Sequence, residues 1–197
     1  MKKTLLITGF DPFGGETINP AWEAVRLLPD QVGNYEVCKL QVPTVFGAAA
    51  RTALARAEAL GPDVILCVGQ AGGRRAVTPE RVAINLMDAS IADNAGVTPK
   101  DQPIAPEGPA AYFATVPVKA MTASIREAGI EAAVSNTAGT FVCNSLLYSL
   151  LHHYTGTGVR AGFIHVPYLH QQAKEGVPSM ALDDIVKALT AAIGALD

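Results

Sequence analysis

Charge is sparse in this chain. Only 17% of its 197 residues are Asp, Glu, Lys or Arg, and the two signs nearly cancel to a formal charge of -3. A surface that binds nucleic acid or anionic lipid needs a basic stripe. The sequence offers one pair of adjacent arginines, Arg74-Arg75, so neither nucleic acid nor membrane is an expected partner. Cysteine is scarce as well: Cys38, Cys67 and Cys143 are odd in number, far apart and free of any CxxC spacing. That excludes a disulfide framework and gives no thiolate metal site. Long apolar runs are also missing. Leu5-Leu6-Ile7 stops at Gly9-Phe10-Asp11, too short for a secretory core or a membrane span. The expected location is the cytoplasm.

What the chain does have is apolar bulk: 49% of its residues, enough for a large core. Residues 1–197 fit one domain. Strand-like and helix-like segments alternate throughout. Thr4–Thr8 reads as a strand, and Asn19-Pro20 as an N-cap with a first-turn proline opening a helix through Leu28. Tyr35–Val42 alternates like a strand, an alanine-rich helix from Phe46 to Leu60 closes at Gly61-Pro62, and Asp63–Val68 is a doubly buried strand. Further strands are expected at Arg81–Leu86, Glu131–Ser135 and Ala161–Val166. Helices are expected at Pro117–Ala128, from Cys143 along Leu146, Leu147, Leu150 and Leu151, and at the C-terminus along Leu182, Ile185, Leu189 and Ile193. Residues 89–109, rich in Pro, Gly, Asp and Asn, are too long for a simple connection and read as a functional or packing excursion. The pattern is that of an α/β fold whose central sheet is covered on both sides.

Cys143 is the sharpest chemical candidate. It precedes the leucine stripe, so it falls at a helix N-terminus, where unpaired amides and the dipole favour a thiolate below the ~8.5 of a free thiol. The competing reading, a small core hydrophobe, carries equal weight on position alone. Cys38 and Cys67 sit inside strand patterns and read as core. His165 closes the apolar run Ala161–Ile164, at the strand end where α/β proteins place chemistry. It is suited to take a proton from a thiol, or equally to cap a strand. His152 and His153 lie at the polar end of the nucleophile helix. A third group has to orient the imidazole. Glu80 is one candidate, and composition does not separate it from Asp11, Asp63, Asp88 or Asp93. The clusters Gly9…Gly14-Gly15 and Gly69…Gly72-Gly73 match no phosphate-binding pattern and read as tight turns beside a pocket.

Four stretches together resemble the pyroglutamyl peptidase I family of cysteine peptidases. They are Gly9-Phe10-Asp11-Pro12-Phe13-Gly14-Gly15 with Asn19-Pro20; Gly69-Gln70-Ala71-Gly72-Gly73-Arg74 running to Glu80–Asn85; Thr137–Asn144; and Gly162–Tyr168. The resemblance places the family's catalytic glutamate, cysteine and histidine on Glu80, Cys143 and His165. It places the ring-binding pocket on Phe10, Phe13, Asn19, Gln70, Phe141 and Val142. It implies a three-layer α/β/α sandwich of the phosphorylase/hydrolase-like type with a twisted mixed sheet. It further implies assembly as a homotetramer, no metal or organic cofactor, and peptides or proteins with N-terminal pyroglutamate as substrates.

Two positions depart from the family pattern. Ser90 stands where an arginine is usual, in Ala89-Ser90-Ile91-Ala92-Asp93-Asn94, and Asn136 where a tyrosine is frequent. A serine cannot replace a cationic fork at an oxyanion site. The donors left for that role are the amides at the Cys143 helix N-terminus or, from another direction, Arg74 or Arg81. Two other readings compete with the peptidase: a catalytically weakened binder of lactam ends, and a thiol redox protein using Cys143. The second lacks a visible resolving cysteine.

Overall fold

Three strands buried on both faces build the centre of the protein, whose computed structural model describes residues 2–197. The chain runs β1 (Lys3–Phe10), α1 (Pro20–Leu27), β2 (Gln31–Val32), β3 (Tyr35–Val42), α2 (Ala48–Leu60) and β4 (Val64–Gln70). It continues through β5 (Thr78–Pro79), β6 (Val82–Ile84), β7 (Ala111–Phe113), α3 (Val118–Glu127) and α4 (Val142–His153). It ends with β8 (Arg160–Val166), β9 (Tyr168–Leu169), β10 (Ser179–Met180) and α5 (Leu182–Gly194). The main sheet has the order β2-β3-β1-β4-β8-β5. Its four inner strands are parallel, while the short edges β2 and β5 pair antiparallel, so the sheet is mixed.

The period-2 alternation of the strands sorts the core into two halves. Leu5, Ile7, Leu66, Val68 and Ile164 point to one face, where α1, α3 and α5 cover them. Leu6, Ile65, Cys67 and Phe163 point to the other, under α2 and α4. The result is the expected three-layer sandwich. Leu66 is fully buried, and truncating it to Ala should cost about 2–5 kcal/mol through lost transfer energy and the cavity left behind.

Local chemistry sets several boundaries. Asn19 caps α1 by accepting from Ala21 N–H at 3.0 Å, with Pro20 in the first turn. Gly61 ends α2 in the left-handed region, its N–H reaching Ala57 O. Two expectations need correction. The strand expected over Arg81–Leu86 shrinks to Val82–Ile84 and pairs with β7 in a separate ribbon, outside the main sheet. Glu131–Ser135 makes only the isolated bridges Val77↔Ala132 and Glu80↔Ser135. The intervening Pro79 has no N–H to continue a ladder, so pairing skips across it.

The parallel strands all finish at one edge. That edge brings together Phe10 from β1, Gln70 from β4 and His165 from β8. The long excursion folds back over the same region. Asn85 holds it, accepting from Ile104 and Ala105 N–H and donating to Ala105 O and Gly108 O.

Candidate active site

Cys143 is the second residue of α4, and that helix begins beside the C-terminal edge of the sheet. Its sulfur lies against β4 at Gly69. A Cβ built there would sit 2.9 Å from Cys143 Sγ and 2.7 Å from Phe163 Cζ. Glycine is therefore what lets the thiol lie on the strand. The register then places His165 directly opposite Gly69 on one side and opposite Thr78 on the other. One residue beyond β5, Glu80 is fully buried, its backbone N–H donating to Phe163 O at 2.9 Å. His165 Nδ1 and Glu80 Oε1 are 2.7 Å apart. With a carboxylate as partner, Nδ1 carries the proton and Nε2 is the basic nitrogen.

A fourth group completes the cluster. Arg74 Nη1 donates to the same Glu80 oxygen and to Thr78 Oγ1, both at 2.6 Å, and Nη2 donates to Thr137 O at 3.1 Å. Arg74 is thus the counter-charge of the buried carboxylate rather than a free cation. Arg81 faces elsewhere, lining a groove with Phe113 and Val118. Glu80 Oε2 is buried without a hydrogen-bond partner among the described residues.

Burial pulls on all three titrating groups. It pushes the Glu80 carboxyl up, but the His165 hydrogen bond, with Ser135 and Arg74 contributing, holds it below the usual carboxylate range. It pulls the His165 imidazole down, against the Glu80 hydrogen bond and charge and together with Arg74. It pushes the Cys143 thiol up to about 12, and the Glu80 charge adds to the rise, while Arg74 and the thiol's own backbone amide oppose it. The expectation of a thiolate below ~8.5 is therefore corrected. The thiol is accessible only in part, and most of its surroundings are protein, so desolvation outweighs the helix N-terminus. At rest the site holds a neutral thiol, a neutral imidazole and an Arg74–Glu80 ion pair.

Beside the thiol is a cavity of about 200 Å³. Phe10, Phe13, Asn19, Gln70, Phe141, Cys143 and His165 line it, joined by Thr44, Ala71, Arg74, Ala138 and Gly139. No Asp or Glu is among them. Phe13 and Phe46 both pack on Phe141, at ring distances of 6.0 and 5.3 Å. Val142 stands apart from the expected set: its side chain is buried in the core on the α4 side of the sheet and does not line the cavity. Asn19 lines it with an amide already committed to Ala21 N–H and Asp11 O. Ser90 is exposed and lies outside the lining. A wider cleft of about 280 Å³, beside Tyr112, Tyr154 and Arg160, has no cysteine in its walls. Among the described residues no cluster of three or more His, Cys, Asp or Glu is placed to hold a metal.

Sequence reasoning passed over several residues that build this site. Asn144, fully buried, accepts from Ile84 N–H and donates to Ile84 O and Leu86 O, tying the first turn of α4 to β6. Asp93 accepts from Phe46, Ala95 and Val97 N–H, each at 2.9 Å. Asn94 donates to Pro12 O and Asp11 Oδ1. Asp93 and Asn94 belong to the same short stretch as Ser90; the sequence offers Asp93 as a candidate orienting acid, whereas the structure makes it the acceptor that holds the Phe46 loop. A polar residue directly after Cys143, at a helix start ahead of the leucine stripe, was the one available signal for Asn144.

Comparison with known proteins places this geometry in a lineage. The sequence profile of the pyroglutamyl peptidase family matches residues 3–197. A pyrrolidone-carboxylate peptidase from Levilactobacillus brevis is 55% identical over 98% of this chain and 96% of its own length. One from Thermococcus onnurineus is 52% identical over 93% and 94%. The crystal structure of pyroglutamyl peptidase I from Bacillus amyloliquefaciens superposes with a TM-score of 0.96 at 48% identity, covering 99% of this chain and 97% of that one. The pyrrolidone carboxyl peptidase from Thermococcus litoralis does so at 0.94 and 37%, covering 98% and 93%. With a likeness this complete in sequence and in fold, the chain belongs to the pyroglutamyl peptidase family.

Proposed function

We propose that this chain is a cysteine peptidase that hydrolyses the bond after an N-terminal pyroglutamyl residue, through a thioester on Cys143. The observation that carries the reading is the meeting of Cys143 and the Glu80-bound His165 at one end of an aromatic-walled, carboxylate-free cavity. A pyroglutamyl ring is flat and uncharged, with one N–H and one C=O to satisfy. Phe10, Phe13 and Phe141 suit its methylenes. An ordinary N-terminus brings an ammonium, which this cavity would strip of water without supplying a counter-charge.

The chemistry follows from the resting protonation. As Sγ attacks the carbonyl carbon, the thiol proton passes to His165 Nε2, so charge separation occurs only with substrate in place. Glu80 holds the imidazole tautomer and stabilises the imidazolium. The carbonyl oxygen gains negative charge at the N-terminus of α4, whose free amides are the donors that come with the nucleophile's own position. His165 then protonates the leaving amine. A water, deprotonated by His165, attacks the thioester carbon; the C–S bond breaks, His165 returns the proton to Sγ, and pyroglutamate leaves with the resting pair restored. No cofactor enters this scheme.

Residues 1–197 act as one peptidase domain in this reading. The three free cysteines and the short apolar run Leu5-Leu6-Ile7 support a cytoplasmic protein, and the family resemblance supports a homotetramer, which sedimentation analysis tests. A chromogenic pyroglutamyl amide tests the activity. The chain should release the chromophore, Cys143→Ser should not, and its circular dichroism should match the parent's. An inert parent, or an active Cys143→Ser, rules the reading out.

A further inference from the structure

Gln172 lies outside the cavity, on the turn that follows β9, yet its side chain reaches the cavity wall. Its Oε1 accepts from Leu169 N–H at 3.2 Å, and its Nε2 donates to Ile18 O and to Gln70 Oε1, each at 3.2 Å. The turn itself is closed by Gln172 and Ala173 N–H donating to Leu169 O. Tyr168 fixes the two segments together by packing over Gly72, where a Cβ would fall 2.3 Å from the phenolic oxygen.

An amide can usually be turned end for end with little change in shape. Here two backbone groups forbid it. Reversing Gln172 would set its NH2 against the Leu169 N–H and its oxygen against the Ile18 carbonyl, donor on donor and acceptor on acceptor. With Gln172 fixed, the atom of Gln70 that meets its Nε2 must be an acceptor. The oxygen of Gln70 is therefore held away, and Nε2 is the end left for the cavity that Gln70 lines.

We propose that Gln172 is a positioning residue for specificity: through Leu169 N–H and Ile18 C=O it fixes Gln70 as a hydrogen-bond donor, selecting a ligand whose ring presents a carbonyl oxygen. This rests on the cavity being the ring site described under the proposed function. A ring without that carbonyl leaves the Gln70 N–H without its partner, and a buried polar group left unpaired is the strong form of discrimination.

The test compares 2-pyrrolidone with pyrrolidine-2-thione, the same ring with a weakly accepting sulfur. Binding is read by thermal shift, which requires no turnover, beside kcat and KM for a pyroglutamyl amide. The parent chain should bind the oxo ring about tenfold more tightly than the thione, a modest hydrogen-bond difference. Gln172→Glu replaces the donor with an acceptor and turns Gln70 around. It should lose about tenfold for the oxo ring while keeping its affinity for the thione, and should raise KM with kcat nearly unchanged. Gln70→Glu, which keeps an acceptor facing Gln172 and removes the donor from the cavity, should give the same loss and serves if Gln172→Glu does not fold. An unchanged oxo-to-thione ratio in these variants overturns the proposal. So does an equal weakening of both rings, which a merely structural Gln172 would give. A parent chain that binds the oxo ring preferentially but cleaves no pyroglutamyl amide would sink the peptidase reading and leave the Gln172 assignment standing.

Discussion

The two ends of the cavity are held by different means. At the catalytic end, every group sits on or beside a buried strand or a helix start. His165 is fixed by its register between Gly69 and Thr78, Glu80 by a backbone bond to β8, and Cys143 by the first turn of α4. At the ring-binding end, Phe10 and Gln70 close β1 and β4, but Phe13 and Phe46 stand on loops, and side-chain carboxylates and amides stitch those loops together. Asp11 accepts from Thr44 N–H at 2.6 Å and from Asn94, while Asp93 holds Phe46. The lesson is a division of labour: proton transfer needs fixed distances and takes the sheet, whereas ring recognition adds to the strand ends loops that must be sewn in place. Substitutions at the first end should therefore strike kcat, and substitutions at the second should strike KM.

The largest effect should come from Glu80→Gln. The amide keeps the contact with His165 but neither stabilises imidazolium nor enforces the tautomer. Turnover should fall about 10³- to 10⁴-fold with KM little changed. Steady-state kinetics on a pyroglutamyl amide would show it, and an undiminished kcat would move the orienting role elsewhere.

Gly69→Ala tests the catalytic end without replacing a titrating group. Its methyl meets Cys143 Sγ and Phe163, so the thiol has to shift. A misplacement on the order of 1 Å typically costs about a hundredfold in rate. Near-parental kcat in a folded variant would mean that the sulfur has room the structure does not give it.

Asp93→Ala is the matching test of the ring end. It frees the amides of Phe46, Ala95 and Val97; Ala95 and Val97 are exposed and can turn to water, so the cost of an unpaired donor, about 1–3 kcal/mol, falls mainly on Phe46. The expected result is a lower melting temperature and a KM raised about tenfold, with kcat within about twofold of the parent. A collapse of kcat at constant KM would erase the distinction between the two ends.

The smallest effect is a displacement on the pH axis. Burial depresses the His165 imidazole, and the base works only when neutral, so the acid limb of kcat/KM should have its midpoint below 6.5. The unfolded chain binds that proton more readily than the folded one. Its contribution to stability is therefore full above about 6.5 and is lost as pH falls through the depressed value. The raised thiol acts at the other extreme: stability is lost as pH rises from the ordinary thiol range toward about 12. In the free enzyme, alkylation of Cys143 at neutral pH should be no faster than that of a free thiol. An acid limb above 6.5, or rapid neutral alkylation, would contradict the neutral resting pair.

Much of this architecture was legible in the sequence because it is local. Asn19-Pro20 announced α1, Gly61 ended α2, and the alternation of Tyr35–Val42 gave β3 its bounds. The placement of Cys143 at a helix start followed from the leucine stripe behind it. What escaped lies beyond the reach of local spacing rules. Arg74 and Glu80 are six residues apart, yet no spacing rule says that they pair. Asn144 bonds to β6 across 60 residues, and Gln172 to Ile18 across 154. The thiol differs from its expectation because a helix N-terminus can be read from sequence, whereas the desolvation that opposes it cannot.

The central claim is that Cys143 carries the acyl group. Mixing the enzyme with a pyroglutamyl ester, quenching in acid and mapping the digest by mass spectrometry tests it directly. The account predicts one pyroglutamyl increment on the peptide containing Cys143, removed by hydroxylamine and absent in Cys143→Ser. Product release by Cys143→Ser, or an increment on any other residue, would contradict it.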